Sequence, residues 1–543
     1  MHTMHTHLKA AAAAAATAAL ALGALGATAC GGDDFLTEKP VDFVSPVNFY
    51  ANAADAVAAV NAAYATFVTV PDAGNDSYVG RNFVMLTEYP TEVTTSRLSA
   101  SNERSMIGNF HPQFTSSHPY VEGVWQAAYS GINRANSVIA RVPNVTMDET
   151  RKAQIVGEAK FLRALHYYWL AGLFGGVPLK LTETQGISEA ALPRATVAET
   201  YAQIAKDLTE AASVLPATWG ATDYGRATKG AALTLLGKAY LQSAGAFGIT
   251  ANYQKALDAL KQVQAMGYTL DANYASLFDG SNERSPEIVW SIQNVRVANY
   301  GGRLTQWFVP IPSVAIFSSQ QNQFQAERPF YDSYNASDIR KAGTWLTSYT
   351  KPNGSTVTWT WTTTSITTAA NYGSTGPSPR KYVDLGAPSG GAEAPDYLIL
   401  RYADVLLSSA EAANEIGGPN AEAYGYVNAV RARAKVPNLT PGLSKQAFKD
   451  SLYVERRFEL ALEFQGVFDM RRDWAFAKSR VEANLAQATA LNKSPFTSSV
   501  EKPASATAVK IDDKWTLYPI PARACELNAE LTQNAGWADG ICK

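Results

Sequence analysis

The apolar residues between Asn48 and Gln242 recur at intervals of three and four, and this period constrains the fold more than any other feature of the chain. One run places Val124, Ala128 and Ile132 on a single stripe. Such spacing is typical of amphipathic α-helices that bury one face. It predicts helices over Ala54–Phe67, Tyr120–Val142, Glu149–Phe174 and Thr196–Leu215.

The end of this region indicates a repeated helix pair. Leu236-Gly237 is followed three residues later by Tyr240, and the next run supplies Ala256 and Leu260. This order is close to that of tetratricopeptide repeats, with a longer connecting loop. Because Gly237 has no side chain, it would let two helices approach closely. We therefore expect a mainly α fold of irregular tetratricopeptide-like helix pairs, with repeats over about residues 45–267.

A different composition begins at Tyr268 and continues to Asp396. Turn residues, Trp, Tyr, Thr and Ser dominate, which predicts loops with small β elements, including strands at EIVWSIQ and Thr356–Thr362. Since helical repeats would not supply this segment, residues 268–396 are the predicted ligand-binding region. In residues 397–543 we expect helices over Tyr397–Glu415, Ala421–Ala434 and Lys445–Phe468, and then a tail that begins as a strand at WTLYPIP.

The N-terminus has the composition of an export signal. Lys9 precedes a stretch rich in Ala, Leu and Gly that ends at Ala29, which favours a signal peptide over residues 1–29 rather than a membrane span. Ala27-Thr28-Ala29 before Cys30 resembles a bacterial lipobox, in which the cysteine receives a diacylglycerol and begins the mature chain, here residues 30–543. Two or more acyl chains would give stable anchoring. The alternative is plain secretion with a free Cys30.

Two more cysteines, Cys525 and Cys542, remain in the exported chain. An oxidising compartment would allow a disulfide, and closing this short loop would contribute about 3 kcal/mol. Two unpaired thiols are the alternative.

Charge and histidine content argue against two classes of ligand. The formal net charge is -2, whereas nucleic-acid binding needs a basic surface. The histidines after the signal, His111, His118 and His166, lack metal-ligand spacing, so no metal or cofactor is expected. A polar surface supplied by Ser, Thr, Asn and Gln suits neutral, hydroxyl-rich ligands.

Three carboxylates recur every four residues in ERRFELALEF and would line one helix face. Two carboxyls at about 5–5.5 Å could serve a retaining glycosidase, but neighbours on one helix would lie side by side rather than flank a sugar bond. Arginines nearby would neutralise them. We therefore predict one structural ion network among the last helices, containing Glu411, Arg431, Arg433, Glu455, Glu459 and Arg471, with Glu463, Arg456, Arg457 and Arg472 as further members.

Several stretches, taken in order, resemble the SusD/RagB family of outer-membrane lipoproteins. They are CGGDDFLTEKP, FLRALHYYWLAGLFGGVPL, GRATKGAALTLLGKAYL, MGYTLDANYASLF, LRYADVLLSSAEAANEIGG, VNAVRARA, ERRFELALEFQGVFDMRRDW and LYPIPARACELNAELTQNAGW. The resemblance covers the whole mature chain. It implies a single SusD-like domain over 30–543 and a surface lipoprotein that lies over a TonB-dependent, SusC-like transporter. Such a pair captures nutrient, usually oligosaccharide, and imports it. Asp33 and Asp34, just after Cys30, are similar to the acidic residues that direct lipoproteins of this family to the outer face of the membrane.

Aromatic side chains on loops are the expected sugar-binding groups. A ring face packs against the C–H face of a pyranose, while polar side chains bind its hydroxyls. Trp307 and Tyr300 are the first choices, followed by Trp359 and Trp361. The resemblance also implies a contribution from the loop before Tyr120, which offers Arg97, Asn109, Phe110 and His111.

The first functional hypothesis is a non-catalytic, lipid-anchored protein that captures oligosaccharide or polysaccharide at the cell surface. One alternative is a glycoside hydrolase on a helical scaffold, which hydrolysis lost on Glu455→Gln would support. The other is a lipoprotein whose helical grooves bind peptide or protein.

Overall fold

The computed structural model describes residues 49–68, 78–96, 103–184, 186, 191–309, 323–350, 354–358, 376–490, 510–538 and 540–543. The chain forms one unit over Met1–Ala51 and a second over Asn52–Lys543. All helices and strands of the described residues belong to the second unit. Residues 1–48, with Cys30, lie outside the described residues.

Helices make up most of this unit. In chain order the α-helices of the described residues are α1 Ala53–Tyr64, α2 Val84–Glu88, α3 Glu103–Gly108, α4 Pro119–Arg141, α5 Glu149–Phe174, α6 Val197–Val214, α7 Lys229–Phe247, α8 Asn252–Gln264, α9 Leu304–Phe308, α10 Arg328–Asp332, α11 Arg340–Thr344, α12 Tyr402–Gly417, α13 Ala421–Arg433, α14 Lys445–Leu460, α15 Gly466–Arg472, α16 Trp474–Ala490 and α17 Ala522–Leu527. None of the helices in these described ranges is long and apolar enough to cross a bilayer.

Capping residues set the ends of the long helices. Asp148 accepts a hydrogen bond from Arg151 N at the start of α5, and Gly175 ends that helix with a φ of 78°. Thr196 and Glu199 form the reciprocal capping box of α6. The helices predicted over Glu149–Phe174 and from Thr196 are therefore confirmed.

Consecutive helices pack against one another from α4 to α8, and α8 then packs against α12. Gly237 on α7 permits a close approach of α8, because a Cβ there would lie 2.6 Å from Leu260 Cγ on α8. The hydrophobic core of the later layers is formed by residues of five helices, α7, α8, α12, α13 and α14. The chain between α8 and α12 is thus an insertion between two layers that touch each other, and the predicted mainly α, tetratricopeptide-like architecture is confirmed.

Small antiparallel sheets occupy the insertion, and one of them takes its first strand from the N-terminal part of the chain. The strands described are β1 Thr94–Ser96, β2 Ile288–Ile292, β3 Phe324–Ala326, β4 Trp345–Leu346, β5 Ser348–Thr350, β6 Thr356–Thr358, β7 Ser378–Pro379 and β8 Tyr397–Arg401. They pair as β1–β3, β2–β8, β4–β7 and β5–β6. The pair β2–β8 closes the insertion, since β8 runs directly into α12.

Three predicted elements differ from the structure. Tyr397–Glu415 begins as strand β8, and its helix starts only at Tyr402. The helix predicted over Lys445–Phe468 stops at Leu460, and α15 follows after a break. WTLYPIP begins in a 3₁₀ turn, Asp513–Thr516, rather than in a strand.

Candidate ligand-binding site

An open cavity of about 370 Å³ lies where three segments meet. The end of α1 supplies Tyr64, the loop between α6 and α7 supplies Tyr224, and β2 with its following loop supplies Trp290, Gln293 and Tyr300. This volume falls within the range of small-molecule sites. We call it the first cavity.

Two exposed tyrosines line the first cavity. Tyr300 is 67% exposed and Tyr224 is 37% exposed. The Tyr224 hydroxyl donates a hydrogen bond to the carbonyl oxygen of Glu283, and the guanidinium of Arg284 lies 4.8 Å from the ring centroid. Arg284 lines a neighbouring cavity and not this one, so the uncovered face of Tyr224 is on the side of the first cavity.

The floor of the first cavity is fixed by contacts between β2 and the α6–α7 loop. Trp290 is buried, and its indole N–H donates to the carbonyl oxygen of Gly225 at 3.1 Å. Gly225 has a φ of 90°, and a Cβ there would lie 2.5 Å from Gln293 Cγ. Since only glycine adopts this conformation readily, the sequence positions the loop that carries Tyr224.

A buried carboxylate holds the polar end of β2. Asp396 Oδ2 accepts hydrogen bonds from Ser291 Oγ at 3.1 Å and Gln293 Nε2 at 2.6 Å, while Oδ1 accepts from Asn294 N at 2.9 Å. Burial raises the pKa of Asp396 to about 7. Because both oxygens are engaged, Asp396 positions Ser291 and Gln293 at the cavity rather than contacting a ligand.

Polar side chains complete the lining of the first cavity. They come from Asn61, Thr222, Asp223, Arg226, Ser291, Gln293 and Asn299. The Arg226 guanidinium is paired with Glu158 at 3.0 Å and with Asp223 at 2.7 Å. Two ring faces beside amide and hydroxyl groups suit a neutral ligand that has both an apolar face and many hydroxyls.

Among the predicted ligand-binding residues that the structure describes, only Tyr300 lines the first cavity. Trp307 lies on α9 rather than on an open loop, and it is buried. The guanidinium groups of Arg81 and Arg104 lie 5.2 and 5.4 Å from its ring centroid. Trp307 is therefore a packed residue, which corrects its prediction as an exposed sugar platform.

The loop before α4 is also part of the packed structure. Asn109 is buried, and Phe110 packs edge-to-face on Trp515 with ring centroids 5.0 Å apart. His111 Nδ1 accepts a hydrogen bond from Gln113 N at 3.2 Å. These three residues do not line the first cavity. Arg97, Trp359 and Trp361 lie outside the described residues.

Sequence reasoning missed Tyr224, because it lies in the helical region and not in residues 268–396. The signal was present in TWGATDYGRA, where Trp219 and Tyr224 occur among Gly, Thr and Asp. Aromatic residues among turn formers between two helices indicate a surface loop that could bear a site.

Glu455 and Glu459 on α14, and Glu463 in the turn after it, lie in a buried ion network. The prediction that all three carboxylates line one helix face is wrong for Glu463, because α14 ends at Leu460. Its ion pairs join Arg340 to Asp338, Glu455 and Glu459, Arg401 to Glu287, Glu459 and Glu463, Arg431 to Glu455, Arg433 to Glu287 and Glu459, and Lys381 to Glu463. Burial alone would raise the pKa of Glu459, but the charges of Arg433, Arg401 and Arg340 outweigh it and hold that pKa well below its ordinary value. These carboxylates are committed to arginines and do not face the first cavity.

A second buried network contains four members of the single predicted one: Glu411, Arg456, Arg457 and Arg472. Its ion pairs join Arg456 to Asp404 and Asp469, Arg457 to Asp469, Arg472 to Glu411 and Asp469, and Lys238 to Asp404. Glu411 thus belongs with Arg472 rather than with Glu459. Arg471 instead donates hydrogen bonds to the carbonyl oxygens of Gly172 and Trp515, which corrects its assignment to an ion network.

The two C-terminal cysteines are joined in the structure. Cys525 and Cys542 form a disulfide with their Cα atoms 5.1 Å apart. The bond ties α17 to the end of the chain.

A cavity carried on stacked helix pairs defines a helical-repeat binding protein, and comparison with known families identifies the kind. A model described as the SusD family matches residues 241–537, and one described as "Starch-binding associating with outer membrane" matches residues 47–241. The chain belongs to the SusD family.

Relatives and solved structures agree with this assignment. SusD-like protein P2 of Formosa agariphila is 27% identical over 472 residues, covering 80% of this chain and 87% of the relative. The starch-binding protein SusD of Bacteroides thetaiotaomicron is 30% identical over 202 residues, which is 35% of each chain. Among solved structures, a SusD homologue from the same organism superposes with a TM-score of 0.75 at 24% identity, covering 91% of this chain and 99% of the other. Surface glycan-binding protein A from that organism, in complex with laminarihexaose, has a TM-score of 0.68 at 20% identity, covering 89% and 99%. These likenesses show the fold.

Proposed function

We propose that this protein captures oligosaccharide or polysaccharide at the outer membrane and passes it to a partner transporter, without cleaving it. One observation carries the proposal: the first cavity presents the exposed rings of Tyr224 and Tyr300 beside amide and hydroxyl groups. Aromatic faces and convergent polar groups are what a pyranose needs. The relative whose name specifies starch, and the fold neighbour that holds laminarihexaose, support this ligand class.

The proposal includes a lipid anchor at Cys30 and a TonB-dependent, SusC-like partner in the outer membrane. The lipobox-like sequence before Cys30 and the family model that names the outer membrane support it. The partner would receive the glycan from the face that carries the first cavity.

The carboxylates proposed as catalytic in the hydrolase alternative are not available for catalysis. Glu455, Glu459 and Glu463 are all buried, and each pairs with at least one arginine. A general acid or nucleophile must reach the glycosidic bond, and these carboxylates do not.

Affinity electrophoresis tests the binding proposal. Protein without residues 1–30 is run through gels that contain laminarin, starch, xylan, mannan or pectin. We expect at least one polysaccharide to retard the protein, and no reducing ends to be released on prolonged incubation. Tyr224→Ala and Tyr300→Ala should each weaken retardation about tenfold or more, since each removes a ring face.

Tyr426→Ala is the matched control, because Tyr426 is a partly exposed tyrosine on α13 that does not line the cavity. Retardation unchanged in both cavity variants would contradict the assigned site. Retardation by none of the five polysaccharides would contradict the proposed function, and release of reducing ends would contradict its non-catalytic part.

A further inference from the structure

A second cavity of about 240 Å³ adjoins the first. The two cavities share Tyr224, Gly225, Arg226, Trp290 and Ser291 as lining residues. The wall between them is therefore a single ridge, formed by the Tyr224 loop on one side and by β2 on the other. A ligand that covers Tyr224 reaches both cavities.

Further aromatic rings line the second cavity beyond the ridge. Trp219 and Tyr268 are both partly exposed there. The Trp219 indole N–H donates to the carbonyl oxygen of Ala227 at 2.8 Å, and the Arg151 guanidinium lies 5.0 Å from its ring. The Tyr268 ring stacks on Tyr402 with centroids 6.3 Å apart. These contacts hold the two rings in place without covering them completely.

The cavity also contains a cation that is available to a ligand. Arg284 is exposed, stacks on Tyr224, and forms no ion pair with any residue in the described ranges. Its guanidinium can donate hydrogen bonds to hydroxyl oxygens, and a guanidinium has no acceptor of its own. Ser285 and Thr228 add hydroxyl groups to the same lining.

We propose that the second cavity is a further sugar subsite, so that consecutive units of one extended glycan chain lie on both sides of Tyr224. This inference rests on the proposed function and adds the surface on which further units of the same chain lie. The aromatic surfaces follow one another along the two cavities: Tyr300, then the free face of Tyr224, then Trp219 and Tyr268. A chain that crosses the ridge gains ring contacts in the second cavity that a short ligand in the first cannot make.

Calorimetric titration with size-graded oligosaccharides tests the inference. The probes are fractions of two to eight units, prepared by partial hydrolysis of the polysaccharide that retards the protein in the affinity gel. We expect the affinity of the wild type to rise about tenfold or more as chains become long enough to cross Tyr224, and then to level off.

Two variants, one that enlarges the second cavity and one that fills it, distinguish a loss of sugar binding there from a loss of folding. Trp219→Ala removes a ring from the second cavity, and Ala217→Trp fills it, since Ala217 is an exposed lining residue. Both should abolish the rise with chain length while leaving the affinity for the shortest bound fraction within twofold. Trp474→Ala, a partly exposed tryptophan that lines neither cavity, should keep the rise.

The possible results separate this inference from the proposed function. Affinity that does not depend on chain length, or a rise that persists in both Trp219→Ala and Ala217→Trp, would overturn the second subsite and leave glycan capture intact. Failure of every polysaccharide to retard the protein would overturn both.

Discussion

Replacing Glu459 with Gln should destabilise the protein strongly while leaving its shape unchanged. Glu459 lies on α14 with no exposed surface, and its carboxylate faces Arg340, Arg401 and Arg433. The amide keeps the volume but removes the negative charge, and it presents two N–H donors to groups that are themselves donors. Removing one partner of a buried ion cluster costs about 3–5 kcal/mol.

The expected change in melting temperature follows from the size of the folded unit. The entropy of unfolding is about 2.1 cal/mol/K per residue. For a unit of about 490 residues, the free energy of unfolding near the melting temperature therefore changes by about 1 kcal/mol for each kelvin. A loss near 4 kcal/mol therefore lowers the melting temperature by about 4 °C. Differential scanning calorimetry at pH 7 measures this shift.

The pH dependence of folding stability provides an independent test of the same prediction. The folded pKa of Glu459 lies below its ordinary value of 4.5, so the carboxylate stabilises the fold above that pH and loses its contribution as the pH falls through the folded pKa. The difference in melting temperature between wild type and Glu459→Gln should thus become smaller as the pH falls below about 4.5.

An exposed ion pair supplies the control. Arg523 and Glu526 are paired at 2.8 Å with half of each side chain exposed, so Glu526→Gln should cost less than about 1 kcal/mol. If Glu459→Gln melts within about 1 °C of the Glu526→Gln control, the buried network does not stabilise the fold as proposed.

Four further predictions follow from the same structure. Cys542→Ser should lower the melting temperature by about 3 °C under non-reducing conditions, because closing this short loop contributes about 3 kcal/mol, and a reductant should bring the wild type to the same value. Asp396→Asn should gain stability relative to wild type as the pH rises from 5 to 8, because a raised folded pKa means that the wild type loses stability as its buried carboxyl ionises; parallel melting curves would contradict this. Gly225→Ala should weaken glycan retardation by displacing Tyr224, whereas Gly417→Ala, at a helical position with open space around it, should not. Cys30→Ser should leave the melting temperature unchanged and move the protein from the membrane to the soluble fraction of cells, and its retention in the membrane would contradict the lipid anchor.

The long helices could be predicted because their signals are local. The helix α5 begins after the capping side chain of Asp148 and ends at Gly175, and both signals lie within the helix and its two neighbours. The same holds for α6, where Thr196 and Glu199 cap one another across a single turn.

The errors in the fold come from contacts between distant parts of the chain. Leu462 adopts a φ of 66°, and its N–H donates to the Glu88 carboxylate, which also accepts the N–H of Gly466. The apolar period gives no sign of that partner, so the pattern predicts one helix across the break. Tyr397–Arg401 is a strand because β2 pairs with it from more than a hundred residues earlier in the chain.

The candidate site could be predicted only in part for a similar reason. Tyr300 was identified because it lies in a loop and precedes two glycines. Trp307 lies in the same loop-rich region, but Arg81 and Arg104 cover its ring from another part of the chain. Tyr224 reaches the first cavity because α7 and β2 lie side by side, and this arrangement is a property of the packed structure.

Glycan binding in the first cavity can be observed in a crystal structure with a bound oligosaccharide. Crystals are soaked with the six-unit fraction of the polysaccharide that retards the protein. We expect pyranose rings packed against Tyr224 and Tyr300 in the first cavity, with hydroxyls bonded to Gln293 or Asn61. An oligosaccharide bound elsewhere on the molecule, with the first cavity free, would contradict it.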